Sequence, residues 1–410
     1  MRPTEPTGPT GRNGATPAPR LAHDVGVNLP VSRSALPVAR RVVVKIGSSS
    51  LTGPDGRLDV DALRSLVDVL AARRAAGTQV VLVTSGAVSA GVGPLGLSTR
   101  PRDLATLQAA ASVGQGLLVA RYTEAFAHHG LGVGQVLLTA EDTVRRVRYK
   151  NAERALSRLL TLGVVPVVNE NDAVTTDGFK FGDNDRLAAL VSHLVRADAL
   201  VLLTDVDGLH DAPPSHPGAR RIPYVGDLAE VADVPVTARG SALGTGGMVT
   251  KLESVRIATA SGIPVVLTAA RNAAGALGGD DVGTFFAATG RRASARRLWI
   301  AHAAGVRGQL HVDDGAARAV LGGRASLLPA GITRVEGEFD AGDPVDLVAP
   351  DGTVVARGLV AFDSQELPAL LGRHTADLRE ELGEGYDREV VHRDDLVLEP
   401  RAARPRRTSS

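Results

Sequence analysis

Apolar runs of four or five residues recur through residues 41–290, and each is followed by a stretch where apolar side chains return every three or four positions. The first run, Val42-Val43-Val44-Lys45-Ile46, predicts a buried strand ending at Gly47. Val60, Leu63, Leu66, Val67 and Leu70 then mark one face of a helix that Gly77 closes. Val80 to Val83 predicts a second strand, leading into Thr84-Ser85-Gly86. Pro101 opens a helix expected to run to about His129 and stop at Gly130. Val133 to Leu138 predicts a strand and Asn151 to Leu162 a helix. Val164 to Val168 predicts a strand ending in Asn169-Glu170-Asn171-Asp172. Asp183 can cap a helix with Leu187, Leu190, Val191 and Leu194 on one face. Ala199 to Leu203 is a strand ending in Thr204-Asp205, Met248 to Ser261 a helix stopped by Gly262, and Pro264 to Leu267 a further strand.

This strand–helix alternation predicts an α/β fold with a largely parallel sheet covered on both faces. Ligands of such sheets bind beyond the carboxyl ends of the strands. Gly47-Ser48-Ser49, Ser85-Gly86, Asn169 to Asp172 and Thr204-Asp205 all fall there. The texture changes after residues 291–300, where Arg291, Arg292, Arg296 and Arg297 mark a boundary. Gln309–Val312, Ile332–Val335, Val345–Val348 and Val354–Val360 read as short strands, with one helix at Asp313–Leu321, which predicts a small β-barrel-like domain over 295–390. Residues 1–40 hold seven prolines and few large apolar residues, and 400–410 form a basic tail. Both are expected to be disordered. A start codon assigned too far upstream would account equally well for the first forty residues.

Composition narrows the chemistry. With no cysteine among 410 residues, the chain has no disulfide, thiol nucleophile, cysteine zinc site or iron–sulfur cluster, which fits a reducing compartment. A formal net charge of +1 gives no global attraction to nucleic acid or an anionic membrane. Val80 to Thr99 lacks charge over a bilayer-spanning length, but its four glycines, proline and hydroxyls read as strand, turn and helix start. No targeting segment is evident. The lysine count is more telling: only Lys45, Lys150, Lys180 and Lys251 are lysine, and the other 42 of the 46 basic residues are arginine. Where arginine replaces lysine so freely, a retained lysine can mark a site that needs a compact ammonium.

Several motifs are set aside. No GxxxxGK[ST] loop is present. Gly91-Val92-Gly93-Pro94-Leu95-Gly96 matches GxGxxG but lacks an acid about twenty residues on to hold a ribose. His392-Arg393-Asp394 lacks the asparagine of a kinase catalytic loop, and the histidines show no paired metal-ligand spacing. Two phosphate-compatible loops remain. Val44-Lys45-Ile46-Gly47-Ser48-Ser49-Ser50 sets an ammonium beside a glycine and three hydroxyls at a strand end. Gly244-Thr245-Gly246-Gly247-Met248-Val249-Thr250-Lys251 sets a second ammonium one turn into a helix. Phe181-Gly182-Asp183-Asn184-Asp185 brings two acids and an amide to another helix start, suited to a substrate ammonium or to positioning a lysine. Each block alone also reads as a tight turn or a plain cap. Lys150 and Lys180 read as surface residues.

Taken in order, VVVKIGSS, VLVTSGAVSAG, VVPVVNENDAV, FGDND, LLTDVDGL and GTGGMVTK resemble the glutamate 5-kinases of the amino-acid kinase superfamily. His311 to Ala316, Ser326 to Ile332 and Val391 to Leu396 resemble the PUA domain that many of them carry. The resemblance implies a three-layer αβα sandwich over 41–290 and a PUA domain over 295–390. It implies transfer of the γ-phosphoryl of ATP to the side-chain carboxylate of L-glutamate, the first step of proline synthesis, in the cytoplasm. Magnesium, feedback inhibition by proline and a homo-oligomer, dimer or tetramer, are implied with it.

By motif, Lys45, Lys251 and Asp185 would be catalytic, with Asp185 organising the two lysines. Ser85, Asp172, Asp183 and Asn184 would bind glutamate. Lys45, Thr204, Asp205, Thr245, Gly246, Gly247, Met248, Val249, Thr250 and Lys251 would hold the nucleotide. No residue is assigned to a metal. The loop containing Pro213-Pro214-Ser215-His216-Pro217 departs from the family pattern. Acetylglutamate and aspartate kinases are the nearest rivals, and the GDND block and the appended domain argue against them. PUA domains commonly bind structured RNA, but 3% aromatic content and balanced charge lend that role no support here.

Overall fold

The computed structural model describes residues 32–53, 57–139, 142, 146–174, 184–213, 216–235, 247–289, 300, 306–323, 325–373, 375–383, 386 and 388–398. Residues 1–31 of the expected N-terminal extension and the 400–410 tail lie outside them, as does nearly all of the arginine-rich boundary.

Eight strands make the larger sheet: β1 (Arg41–Ile46), β2 (Gln79–Val83), β3 (Val133–Leu138), β4 (Val165–Glu170), β5 (Ala199–Thr204), β6 (Tyr224–Val225), β7 (Val265–Ala269) and β8 (Thr284–Phe286). Their order is β3-β4-β2-β1-β5-β7-β8-β6. Every neighbouring pair is parallel except β7 with β8. Around it lie α1 (Val60–Ala75), α2 (Ala87–Val92), α3 (Leu104–Ala127), α4 (Arg146–Thr161), α5 (Asn184–Leu194), α6 (Met248–Ala260) and α7 (Ala273–Gly278).

Alternation along β1 shows how three layers form. Successive strand side chains point to opposite faces. Val42, Val44 and Ile46 enter one core with Leu63, Leu66 and Leu70 of α1, Leu118 and Phe126 of α3 and Leu277 of α7. Val43 enters the other core with Leu156 of α4, Leu187 and Val191 of α5, and Val255 and Ile257 of α6. Lys45 shares the parity of Val43, so β1 aims its ammonium toward the layer that contains α5 and α6.

Three boundaries differ from the sequence reading. Strand β4 continues through Asn169 and Glu170, which pair with Leu137 and Leu138 of β3 and are buried. Helix α3 begins at Leu104 rather than Pro101, because the Asp103 carboxylate accepts from the Thr106 N–H at 2.9 Å. The disorder expected throughout 1–40 does not hold at its end. Arg33–Val38 form a 3₁₀ segment with Leu36 buried against α1 and α7, and the Arg33 guanidinium donates to the Gly283 carbonyl at 2.8 Å.

Helices α2 and α3 cross closely enough that a Cβ on Gly91 would lie 2.0 Å from the Ala110 carbonyl oxygen, and one on Gly114 1.8 Å from that of Ala87. Gly91 is thus a packing glycine, consistent with setting aside the GxGxxG match. The crossing brings the middle of α3 against the turn that follows β2.

The smaller sheet has the order β10-β9-β11-β12-β13, from β9 (Gly308–Val312), β10 (Ile332–Gly337), β11 (Pro344–Val348), β12 (Val354–Leu359) and β13 (Leu396–Leu398). Its core gathers Leu310, Val345, Leu347, Phe362 and Leu367 with Val320 of α8 (Asp314–Leu321) and Leu378 of α9 (Thr375–Leu382). Strand β13 carries this sheet past residue 390, the expected limit.

Candidate active site

Three distant segments converge on one carboxylate. Lys45 is the penultimate residue of β1, Asp185 lies in the first turn of α5, and Lys251 in the first turn of α6. Helices α5 and α6 pack together, tied also by an Arg186–Glu253 ion pair. The Lys45 Nζ stands 2.6 Å from Asp185 Oδ1, and the Lys251 Nζ donates to Asp185 Oδ2 at 2.9 Å. All three side chains are buried, Asp185 to 1% exposure. Burial alone would push the Asp185 carboxyl up, but the adjacent Lys45 and Lys251 ammonium groups outweigh it and hold the group well below the usual carboxylate range. The carboxylate therefore stays ionised and fixes both ammonium groups at one point.

This point lies at the phosphate-compatible loops. A Cβ on Gly47 would stand 3.5 Å from the Lys45 Nζ. Helix α6 begins at Met248 with Gly247 as a cap that has no side-chain hydrogen bond. An uncapped helix start offers main-chain N–H groups and a positive dipole end to an anion. Val249 and Thr250 complete the first turn, and Thr250 Oγ1 donates to the Gly247 carbonyl at 2.9 Å. Thr204 ends β5 and donates to the solvent-facing Asp205 at 2.8 Å. Leu203 of β5 pairs with Ile46 of β1, so both strand ends open on the same edge.

A second network starts beside Asp185. Asn184 Nδ2 donates to Ser85 Oγ at 2.8 Å and to Asn169 Oδ1 at 3.0 Å. Asn169 Nδ2 in turn donates to Gln115 Oε1 of α3 at 2.7 Å. The turn carrying Ser85 is braced by a buried hydrogen bond between Thr84 Oγ1 and the Tyr122 hydroxyl at 2.9 Å. Beside the network is a cavity of about 220 Å³ lined in part by Gln115, Glu170, Asn171 and Asp172.

The structure thus brings together Lys45, Asp185 and Lys251, joins Ser85 to Asn184, and sets Asp172 in the cavity wall. Asp183, Thr245 and Gly246 lie outside the described residues, as does Lys180, while Lys150 is exposed on α4. Gln115, Thr84 and Tyr122 were not among the sequence candidates, and Asn169 was placed at the ligand-binding strand ends without an assigned role. Gln115 had a readable signal: it is a polar residue on the buried α3 face formed by Ala111, Gly114, Leu118 and Tyr122.

Residues 40–269 match the amino acid kinase family and residues 308–382 match the PUA domain. The chain is 61% identical over 368 residues to the glutamate 5-kinase of Streptomyces coelicolor, covering 90% of this chain and 98% of that one. It is 60% identical over 376 residues to the glutamate 5-kinase of Thermobifida fusca, covering 91% and 97%. With two lysines gathered on one buried acid, and with identity of this extent over nearly the whole length of its relatives, the chain belongs to the glutamate 5-kinases of the amino acid kinase family.

Proposed function

We propose that the protein transfers the γ-phosphoryl group of ATP to the side-chain carboxylate of L-glutamate, giving L-glutamyl 5-phosphate, the first step of proline synthesis. The Lys45–Asp185–Lys251 cluster carries this reading. A glutamate side chain has a reference pKa of about 4.3, so it is an anionic nucleophile at neutral pH and needs no general base. A carboxylate oxygen attacks the γ-phosphorus, the bond from that phosphorus to the bridging oxygen breaks, and ADP leaves with the electron pair. The obstacle is repulsion between the carboxylate and the triphosphate, so catalysis rests on positioning and charge neutralisation. Lys45 and Lys251 supply fixed positive charge at the transferring group, and Asp185 holds them there. Helix α6 and the Gly47 turn support the phosphates, and Thr204 and Asp205 support the nucleotide.

The acceptor is held by Ser85, Asn184 and Asp172, with Asp183 in the same role by motif. The exposed Asp205 at the strand ends would help hold a nucleotide-bound magnesium ion, a cation that favours carboxylate oxygen and would supply charge neutralisation at the phosphates. Proline as feedback inhibitor, a dimer or tetramer, and a cytoplasmic location complete the reading, as the family relationship implies.

The test is glutamate-dependent ATP turnover with the acyl phosphate trapped by hydroxylamine. Hydroxamate forms with glutamate and not with aspartate or N-acetylglutamate. Turnover restricted to another acid would replace glutamate as the acceptor.

A further inference from the structure

We propose that Gln115 is a specificity-determining residue whose side-chain Nε2 donates to the α-carboxylate of the acceptor amino acid. This rests on the reading of glutamate as acceptor and deepens it.

A main-chain group sets the direction of the amides. The Glu170 N–H donates to Asn169 Oδ1 at 2.9 Å, and a main-chain N–H can only donate. Asn169 therefore turns its Nδ2 toward Gln115, whose facing atom must be the acceptor Oε1, at 2.7 Å. Gln115 is left with its donor, Nε2, on the other side of the amide. That atom is buried and has no acceptor among the described residues. A buried donor without a partner bears its full desolvation cost, so such a group calls for an explanation.

Gln115 is 8% exposed and lines the cavity. Lys45, Asp185 and Lys251 do not line it. The end of the acceptor remote from phosphoryl transfer therefore belongs there, and for glutamate that end carries an ammonium and a carboxylate. Glu170 and Asp172 suit the ammonium by charge. The α-carboxylate needs a donor, and Gln115 brings one that no described residue uses. The other end of the same network repeats the pattern, since Asn184 spends its donors on Ser85 and Asn169 and keeps a buried Oδ1 without a donor among the described residues.

Two substitutions in the full-length enzyme separate substrate contact from support of Asn169. Gln115→Glu keeps an acceptor for Asn169 and removes the donor, whereas Gln115→Met keeps the bulk and removes both. The expected result is a glutamate KM raised roughly tenfold or more in both variants. The KM for ATP stays unchanged, kcat stays within about threefold, and the thermal midpoint of Gln115→Glu stays near that of the parent. A parent-like glutamate KM for Gln115→Glu between roughly pH 6 and pH 9 would reduce Gln115 to a support for Asn169 and overturn the proposal, as would a parent-like KM for Gln115→Met. Failure of the unsubstituted enzyme to use glutamate would instead overturn the acceptor reading.

Discussion

Each domain buries a carboxylate against basic side chains, and the two solutions differ in stoichiometry and origin. In the smaller domain Asp346 and Arg357 are cross-strand partners on β11 and β12, eleven residues apart, with Arg357 Nε donating to Asp346 Oδ1 at 2.7 Å. One acid meets one base within a single hairpin, and that pair is neutral. In the larger domain one acid, Asp185, meets two lysines drawn from β1 and α6. Those three side chains sum to one positive charge. Burying charge is costly unless it is paired. The neutral pair answers the needs of its own hairpin, whereas the two-to-one cluster sets two ammonium groups where an arriving anion can meet them.

Substitutions at these carboxylates probe that contrast, and the largest effect is expected at Asp185. Asp185→Asn leaves two buried ammonium groups without their acid, and loss of roughly 3–5 kcal/mol is expected from breaking such an arrangement. The folded-state pKa of Asp185 is depressed, so its contribution is complete above the unfolded carboxylate value of about 3.9 and is lost as pH falls toward the folded value. The gap in thermal midpoint between parent and variant should stay flat from neutrality to about pH 5 and narrow below about pH 4. A gap that closes near neutral pH would contradict the ionised acid.

Asp346→Asn should cost less, about 1.5–3 kcal/mol from a hydrogen bond to a charged group. Kinetic constants for glutamate and ATP should not change, which denaturant unfolding and steady-state assays on one preparation can check. Altered kinetics would tie the smaller domain to the site. The smallest effect is expected for Ser85→Ala. It removes a neutral acceptor from Asn184, a contact worth about 0.5–1.5 kcal/mol, and should raise the glutamate KM by roughly 3–10-fold with only a small fall in the thermal midpoint. An unchanged KM would remove Ser85 from the acceptor site.

Most of the scaffold was legible because periodicity reports burial directly. The β1 run and the α1 face emerge with little displacement, since β1 is buried between two layers and α1 turns one apolar face to the core; Val133 to Leu138 emerges too, although this edge strand is only partly buried. The two clustered lysines stood out because lysine is so rare in this chain. Other features depended on partners distant in the chain. Asn169 and Glu170 read as a turn because polar residues rarely prolong a buried strand, yet hydrogen bonds from elsewhere in the fold, including the one from Asn184, accompany Asn169 there. Gln115 offered only the signal of a polar residue on an apolar helix face, and its importance depends on a side chain 54 positions away. Leu36 gave no periodic signal because its packing partners include α7, more than two hundred residues on.

The most direct test of the two-lysine account is Lys251→Met, which leaves Asp185 with Lys45 alone of the two lysines. The methionine keeps most of the packing of the lysine stem. Glutamate- and ATP-dependent hydroxamate formation, measured beside thermal unfolding, should show kcat lowered roughly 10²–10³-fold in a protein that still unfolds cooperatively. A folded Lys251→Met enzyme with near-parental kcat would show that the second ammonium group does not serve phosphoryl transfer, and the account would fail.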